Sequence, residues 1–524
     1  MRLTQGLMRA LATNPDGAIR ISRDGARSYR EAVPRIARLA GGLRAMGVAP
    51  GDRVGLLAFN SEAYLECLFA APWCGAVIVP MNWRLTPQEL SLLMQDAGIG
   101  VLIADPDGLA LAREMSPRPA CWARTILIDA VPGAVPEPGA GADLVPYEGL
   151  VAASAPIRDA ERGGEDLAGL FYTAGTTSAS KGVMLTHDNI CANAINAIAS
   201  LQVTEESVYL HSAPMFHLAD GASTFAVTMM GGAHAYVPRF DAAACLDSIE
   251  TLKVTNAQFV PTMIKMLLDH PDARRRDLSS LRRVLYGASP IEDETLRRAL
   301  TLLPNARFVH GYGMTEVSSI ATMLPGRYSV TEGPDAAKRR SCGQAALLCE
   351  VEVRRPDGGR ADPGEIGEIA IRGPNVMKGY WNRPEETAAA LRDGWMHSGD
   401  LGYLDEDGFL FLTGRLKDMI KTGGENVFAI EVENVIAEIP EVAESAVIGI
   451  PHPQWGETVL AIVVPRPGKT VEPQAVIDFC RAHLAPYKCP RRVEIRDRPL
   501  PVSSAGKILK RELRDPYWVP ADAG

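Results

Sequence analysis

Between residues 53 and 80 the chain reads strand, helix, strand: DRVGLLAF, then SEAYLECLFAAPWCG, then AVIVPMN. The outer pieces are short apolar runs. The middle piece has apolar residues at helical spacing, with Ser61 placed to cap its start and Gly75 to close its end. Two strands joined through a helix lie parallel, because the connection must cross back over the sheet. The unit recurs as TPQELSLLMQDAG followed by VLIAD, and as CLDSIETLKV followed by AQFVPT. Such alternation predicts an α/β fold of mostly parallel sheets covered by helices. A chain of 524 residues exceeds what one core fills, so at least two domains are expected.

Residues 130–165 are rich in Pro, Gly and Ala and read as a surface connection. After about residue 340 the pattern changes to short alternating strands joined by Asp-Gly and Pro-Gly turns (EVEVRRPDG, GEIGEIAIRG, GYLDEDGFLFLTG), a small β-rich subdomain. Beyond GRLKDM a compact α+β pattern follows, with helices at AIEVENVIAEIP and PQAVIDFCRAHL flanking strands ESAVIGIP and VLAIVVP. Residues 414–419 therefore read as a hinge ahead of a small C-terminal domain.

A net charge of -9 leaves no basic surplus to neutralise a nucleic-acid backbone, and clusters such as Arg274-Arg275-Arg276 are short. Nine cysteines without a C-x-x-C pair fit reduced thiols in a cytoplasmic protein. The opening MRLTQGLMRALATNPDG has no sustained apolar core, and the longest apolar run, LFAAPWCGAVIVPMNW, is broken by two prolines and a glycine. Neither a signal peptide nor a transmembrane segment is expected. Assembly into a homo-oligomer is left open.

The apolar run ending at residue 171 leads into FYTAGTTSASKGV, where hydroxyl residues surround a glycine ahead of Lys181. Backbone N–H groups in such a turn cradle anions, and hydroxyls and a lysine add to them. A P-loop it is not: counting from Gly175, Ser180 stands where the second glycine belongs, and Gly182 follows the lysine in place of Ser or Thr. In HGYGMTE (310–316) glycines would let backbone approach a flat base, Thr315 could meet phosphate and Glu316 a cation. WMHSGDLG presents Asp400 in a turn, suited to ribose hydroxyls. GRLKDMIKTGGENV supplies Arg415 and a Gly-Gly turn, and PVSSAGKILKREL puts Lys507 after a flexible run. Each alone also reads as an ordinary turn, an exposed acid or a solvated base.

Together and in this order the motifs resemble those of the adenylate-forming superfamily, which includes acyl-CoA synthetases, peptide-synthetase adenylation domains and luciferases. The resemblance covers nearly the whole chain. It implies a large N-terminal domain of layered βα subdomains plus a small β-subdomain (1–414) and a small mobile α+β domain (415–524). It also implies an ATP-dependent acid–thiol ligase: AMP is transferred to a carboxylate, and the thiol of CoA then displaces AMP. By resemblance Thr173, Thr176, Thr177 and Lys181 line the triphosphate, Thr315 meets the α-phosphate, and Glu316 with Thr176 holds Mg²⁺. Gly287, Gly311 and Tyr312 frame adenine, and Asp400 and Arg415 take the ribose. Lys507 neutralises charge at the reacting centre, Lys417 is the hinge, and Gly423 and Gly424 face CoA. Ala174, Ser178 and Ser180 stand where the family usually has Ser, Gly and Pro, and Ala429 where it has Pro.

At the acyl end, APMFHLAD resembles the segment whose histidine, here His217, lies beside the carboxylate. Ala219, Ala222 and Gly287 would line an open apolar pocket, with QFVPTM and LYGASP as further walls. That suits a medium or long fatty acid or an arylalkenoate. Asp220 either caps a helix or selects a polar substituent. Two alternatives stand beside the ligase: an adenylation enzyme that loads a carrier protein in trans, and a non-catalytic nucleotide-binding descendant.

Overall fold

The computed structural model describes residues 1–128, 143–173, 180–287, 291–502 and 508–518. The chain divides into two compact units, Met1–Val351 with Ile371–Met396, and Glu352–Ala370 with His397–Gly524.

The first unit is α/β. The strand–helix–strand read from the sequence is present as β1 (Arg53–Leu57), α1 (Glu62–Trp73) and β2 (Val77–Pro80), with β1 and β2 parallel. Ser61 caps α1 by accepting from the Tyr64 N–H, and Gly75 follows it at φ +83°, a conformation open to glycine without steric cost. Every α1 residue from Tyr64 to Trp73 is buried, which is why the helix is apolar on all sides.

These elements belong to an eight-stranded sheet. Its order runs from Gly379–Tyr380 through β4 (Lys181–Thr186), β3 (Leu167–Thr173), β2 and β1 to Val101–Ala104, Arg124–Leu127 and Asp143–Pro146. From β3 to the last strand the pairing is parallel, while β3 and β4 form an antiparallel hairpin. The stretch expected as a surface connection thus contributes the strand Asp143–Pro146 and the helix Tyr147–Ala153. Tyr147 supplies the reason: its ring is buried and its hydroxyl donates to Glu66 at 2.5 Å, inside the same unit.

Helix α2 (His187–Leu201) follows β4 directly. A nine-stranded sheet forms the other layer, its parallel centre built from β5 (Val208–His211), β6 (Ala233–Tyr236), Asn256–Gln258, β7 (Arg283–Gly287) and β8 (Arg307–Tyr312). Helix α3 (Leu218–Met230) connects β5 to β6. Phe259, Tyr286, Phe308 and Leu296 anchor its apolar core.

In the second unit, β10 (Trp395–Leu404) pairs antiparallel with β11 (Leu410–Arg415), the short strand Gly379–Tyr380 of the first unit being β9. A 3₁₀ turn at Leu416–Asp418 leads to the hairpin β12 (Met419–Thr422) and β13 (Glu425–Phe428). Its two-residue loop is Gly423-Gly424 at φ +60° and +87°; two consecutive positive φ values are what a type I′ turn demands. Helix α4 (Ala429–Ala437) and the strands Val442–His452 and Gly456–Pro465 enclose a core of Val432, Ile436, Val447 and Val459. All nine cysteines are free thiols, and only Cys121 and Cys349 are less than fully buried. Among the described residues no helix is long and apolar enough to cross a membrane.

Candidate active site

Strands β3 and β4 flank the phosphate-type stretch. Thr173 ends β3 and Lys181 opens β4, and the two are direct register partners. Thr176 and Thr177 lie outside the described residues, as do Ala174 and Ser178. The Lys181 ammonium is 4.9 Å from the centre of the Tyr380 ring, and the Tyr380 hydroxyl donates to Glu316 Oε1 at 2.9 Å. β9 carries Tyr380 to this place by pairing antiparallel with β4. Burial first, and Glu316 next, push the Tyr380 phenol well above its usual value, so it remains a donor. Cation, hydroxyl and carboxylate therefore form one row. Tyr380 was not among the residues picked from the sequence; its place depends on a long-range strand pair that no local pattern announces.

Glu316 lies on the 3₁₀ turn Thr315–Val317, and its carbonyl accepts from the Met377 N–H at 2.8 Å. Asparagines hold this turn. Asn375 Nδ2 donates to the carbonyls of Val317 and Ile320 at 2.9 and 2.8 Å, and Asn193 Oδ1 accepts from the Ile320 N–H at 3.0 Å. Along α2, Asn189 donates to the Pro374 carbonyl at 2.8 Å and Asn196 accepts from the Leu348 N–H at 2.9 Å. Residues 189, 193 and 196 share one helix face by their spacing, a signal visible in the sequence had polar as well as apolar periodicity been scored. The helix that follows the Lys181 strand is thus stitched to the turn bearing Thr315 and Glu316.

Gly287 and Gly311 are paired neighbours at the ends of β7 and β8. A Cβ at Gly287 would fall 2.6 Å from the Gly311 carbonyl oxygen, so this edge must be bare backbone. Tyr312 follows and is buried.

His217 caps α3: its Nδ1 accepts from the Ala219 N–H at 3.2 Å, which makes Nε2 the proton-bearing nitrogen of the neutral ring. The side chain is exposed rather than packed in the core. Ala222 is buried and Ala219 half-buried on the same helix. Phe216 meets Trp83 edge-on with centroids 5.9 Å apart, and Trp83 meets Phe59 at 5.0 Å. Beside this segment lies a cavity of about 350 Å³ walled by Ser212, Pro214, Trp83, Phe240, Met263 and Met266, among others. Thr262 and Met263 of the QFVPTM stretch do line it. Asp220 neither caps the helix nor reaches the cavity; it is wholly buried against His211 at 2.7 Å.

The remaining candidates belong to the second unit. Asp400 sits inside β10, not in a turn; Gly399 at φ +68° supplies the local irregularity that GD suggests, while the strand continues. Arg415, its register partner on β11, approaches Asp400 Oδ1 with Nε at 3.2 Å. Lys417 is exposed on the 3₁₀ turn. The Gly423 N–H donates to the Trp455 carbonyl, and Trp455 is sandwiched by His452 (4.1 Å, nearly parallel) and the Arg491 guanidinium (3.6 Å). Lys507 lies outside the described residues; three residues on, Lys510 pairs with the half-buried Glu433 at 2.7 Å.

Residues 7–381 match the family described as AMP-binding enzyme, and residues 431–507 match the AMP-binding enzyme C-terminal domain. Feruloyl-CoA synthase of an Amycolatopsis species is 42% identical over 489 residues, 93% of each chain. The fatty acid–[acyl-carrier-protein] ligase ScoC of Streptomyces coeruleorubidus is 36% identical over 499 residues, 92% of this chain and 90% of that one. Among solved structures, ATP-bound MatB from Rhodopseudomonas palustris superposes with a TM-score of 0.84 at 31% identity, covering 99% of both chains.

Proposed function

The chain belongs to the AMP-binding enzyme family and is an ATP-dependent acyl-CoA synthetase, and on that premise we propose its acid and the work of each residue. In the first step a carboxylate oxygen attacks the α-phosphorus of ATP, pyrophosphate leaves and acyl-AMP forms. Lys181, with Thr173, Thr176 and Thr177, holds the departing phosphates, and Thr315 meets the α-phosphate. Gly287, Gly311 and Tyr312 frame adenine, Asp400 and Arg415 take the ribose, and Lys507 offsets the charge that develops between the reactants. The Glu316 carboxylate, steadied by Tyr380, is the hard oxygen donor that suits Mg²⁺, with Thr176 as second ligand. Mg²⁺ bound there would neutralise phosphate charge.

In the second step the thiol of CoA attacks the acyl carbon and AMP leaves. The bare Gly423-Gly424 turn beside the Trp455 stack offers CoA a flat surface. Residues 415–524 act as the mobile domain with Lys417 at its hinge, and residues 1–414 as the adenylation domain. Nine free thiols support a reducing, cytoplasmic setting.

The acid is hydrophobic, an arylalkenoate ahead of a medium or long fatty acid. The row Phe59, Trp83 and Phe216, running up to His217 and the small residues Ala219 and Ala222, carries this reading. Likeness to feruloyl-CoA synthase supports it. Likeness to ScoC favours a second reading, in which the acceptor is a carrier protein in trans. AMP release over acids from acetate to long fatty acids and cinnamates, with and without CoA, tests both. Turnover of cinnamates only with CoA is expected; acetate as the best acid would sink the hydrophobic reading. Acid-dependent pyrophosphate exchange without CoA-driven AMP release would transfer the case to the carrier protein.

A further inference from the structure

The segment that carries His217 is closed at its base by two buried side chains. His211 ends β5 and Asp220 is the third residue of α3, and His211 Nδ1 lies 2.7 Å from Asp220 Oδ2. The contacts continue inward, from His211 Nε2 to His234 Nδ1 at 2.9 Å and from His234 Nε2 to Thr228 Oγ1 at 3.0 Å. The Tyr209 hydroxyl donates to the other carboxylate oxygen at 3.4 Å. His211, Asp220, His234 and Thr228 are all 0% exposed. One polar thread therefore joins β5, β6 and α3 inside an apolar layer.

Every link of the thread can be satisfied at once. If His211 carries both ring protons, it donates to Asp220 and to His234, and His234 donates to Thr228. With one proton fewer, Thr228 donates to His234 and His234 to His211. Either arrangement keeps the His211–Asp220 link, in which burial raises the Asp220 carboxyl and the contact with His211 offsets part of that rise. Burial, and after it His211, lowers the basicity of His234, in keeping with His234 as the neutral ring.

A buried polar pair adds little stability over apolar residues of equal volume, so its worth lies in what it fixes. Between its partners runs the segment 212–219. The N–H groups of Asp220 and Gly221 donate to the His217 carbonyl at 3.0 and 2.9 Å, so the Asp220 anchor holds the backbone of His217 directly. Asn60 holds the other limb, accepting from the Met215 N–H at 2.8 Å and donating to the Ala213 carbonyl at 2.8 Å. We propose that the His211–Asp220 pair positions His217 by stapling the 212–219 segment at its base, thereby setting where the imidazole meets the acid. Asp220 acts through His217, not on the acid; the inference rests on the reading of His217 as the residue facing the carboxylate.

The test is a double-mutant cycle on the full chain with Asp220→Ala, Asp220→Asn and His217→Ala, read as acid-dependent pyrophosphate exchange. Asp220→Ala is expected to lower kcat/KM for the acid by about tenfold to a hundredfold at unchanged KM for ATP. Asp220→Asn, whose amide oxygen still accepts from His211, should recover most of that. In the His217→Ala background Asp220→Ala should cost no more than about twofold further. Equal cost in both backgrounds, or a parallel rise in KM for ATP, would overturn the staple. Should Asp220→Ala not fold, Asp220→Asn replaces it in the cycle, its smaller loss still expected to vanish without His217. Amide hydrogen exchange gives an arm independent of turnover: exchange across 212–221 should quicken in Asp220→Asn and in Asp220→Ala while other segments keep their wild-type rates. No change there would also refute the proposal. A wild-type chain that forms no CoA thioester would defeat the functional reading alone, and the exchange arm would still decide the staple.

Discussion

A cation is attracted to the face of an aromatic ring, and the Lys181 ammonium lies over that of Tyr380 in this way. Lys181→Ala is expected to raise KM for ATP by about tenfold to a hundredfold, the worth of a charge-assisted hydrogen bond, with KM for the acid unchanged. Parallel titrations of ATP and acid check this. His187, the first residue of α2, is buried and accepts from the Leu3 N–H through Nδ1 at 3.2 Å. Burial holds its pKa down at about 4 against 6.5 for an ordinary histidine. Between those values the unfolded chain binds the extra proton, so stability contributed by the neutral ring is complete above about pH 6.5. It is lost as pH falls toward 4, by roughly 3 kcal/mol. Urea melts from pH 7 to 4 should show that slope, and His187→Gln should flatten it. At this scale the sequence speaks through residue types at set spacings: Lys181, Glu316 and Gly287 were nameable, while Tyr380 was not, because what it touches is remote in the chain; Asp220 was named, but its partner His211, nine residues earlier, was not.

Elements owe their positions here to polar stitching as much as to apolar faces. Asn375 satisfies two buried carbonyls of the turn that bears Glu316. Asn375→Ala strands both, and is expected to cost about 1–3 kcal/mol in denaturant unfolding and to raise KM for ATP more than KM for the acid. An equal rise in both constants would mean that the asparagine serves the fold without serving the turn. Caps and ends of helices were legible beforehand: Ser61 and Gly75 bracket α1 as read, and Thr186 with Asn189 forms a reciprocal cap on α2. The turn foreseen at Asp400 failed for the converse reason. Glycine followed by aspartate marks local freedom, but pairing of β10 with β11 carried the strand through it.

For the whole molecule the alternation of strands and helices identified the architecture, since parallel pairing leaves few other topologies. The grouping of residues 352–370 and 397–414 with the C-terminal residues was not legible, because it depends on packing of β11 against α4 and β13, which no local pattern announces. The two-step chemistry assigns different residues to different steps. Lys417→Pro, which stiffens the 3₁₀ turn at the proposed hinge, should spare acid-dependent pyrophosphate exchange and lower CoA-dependent AMP release by about a hundredfold or more. Lys507→Ala should do the reverse, abolishing exchange while leaving CoA able to take the acyl group from supplied acyl-AMP. Rapid mixing with each half-reaction separately measures both, and equal losses in the two would remove the division of labour.

Seven of the nine thiols are buried, and burial pushes Cys191 and Cys245 up to about 12 and Cys480 to about 11. Cys349, one of the two half-buried, is raised to about 11. Thiols held so far from the thiolate form react slowly with maleimides at neutral pH. The chain is therefore close to a blank background for fluorescence work. With Cys121 replaced by serine, one cysteine introduced on an exposed face of each compact unit would take a dye pair selectively, and single molecules could then be watched through a catalytic cycle.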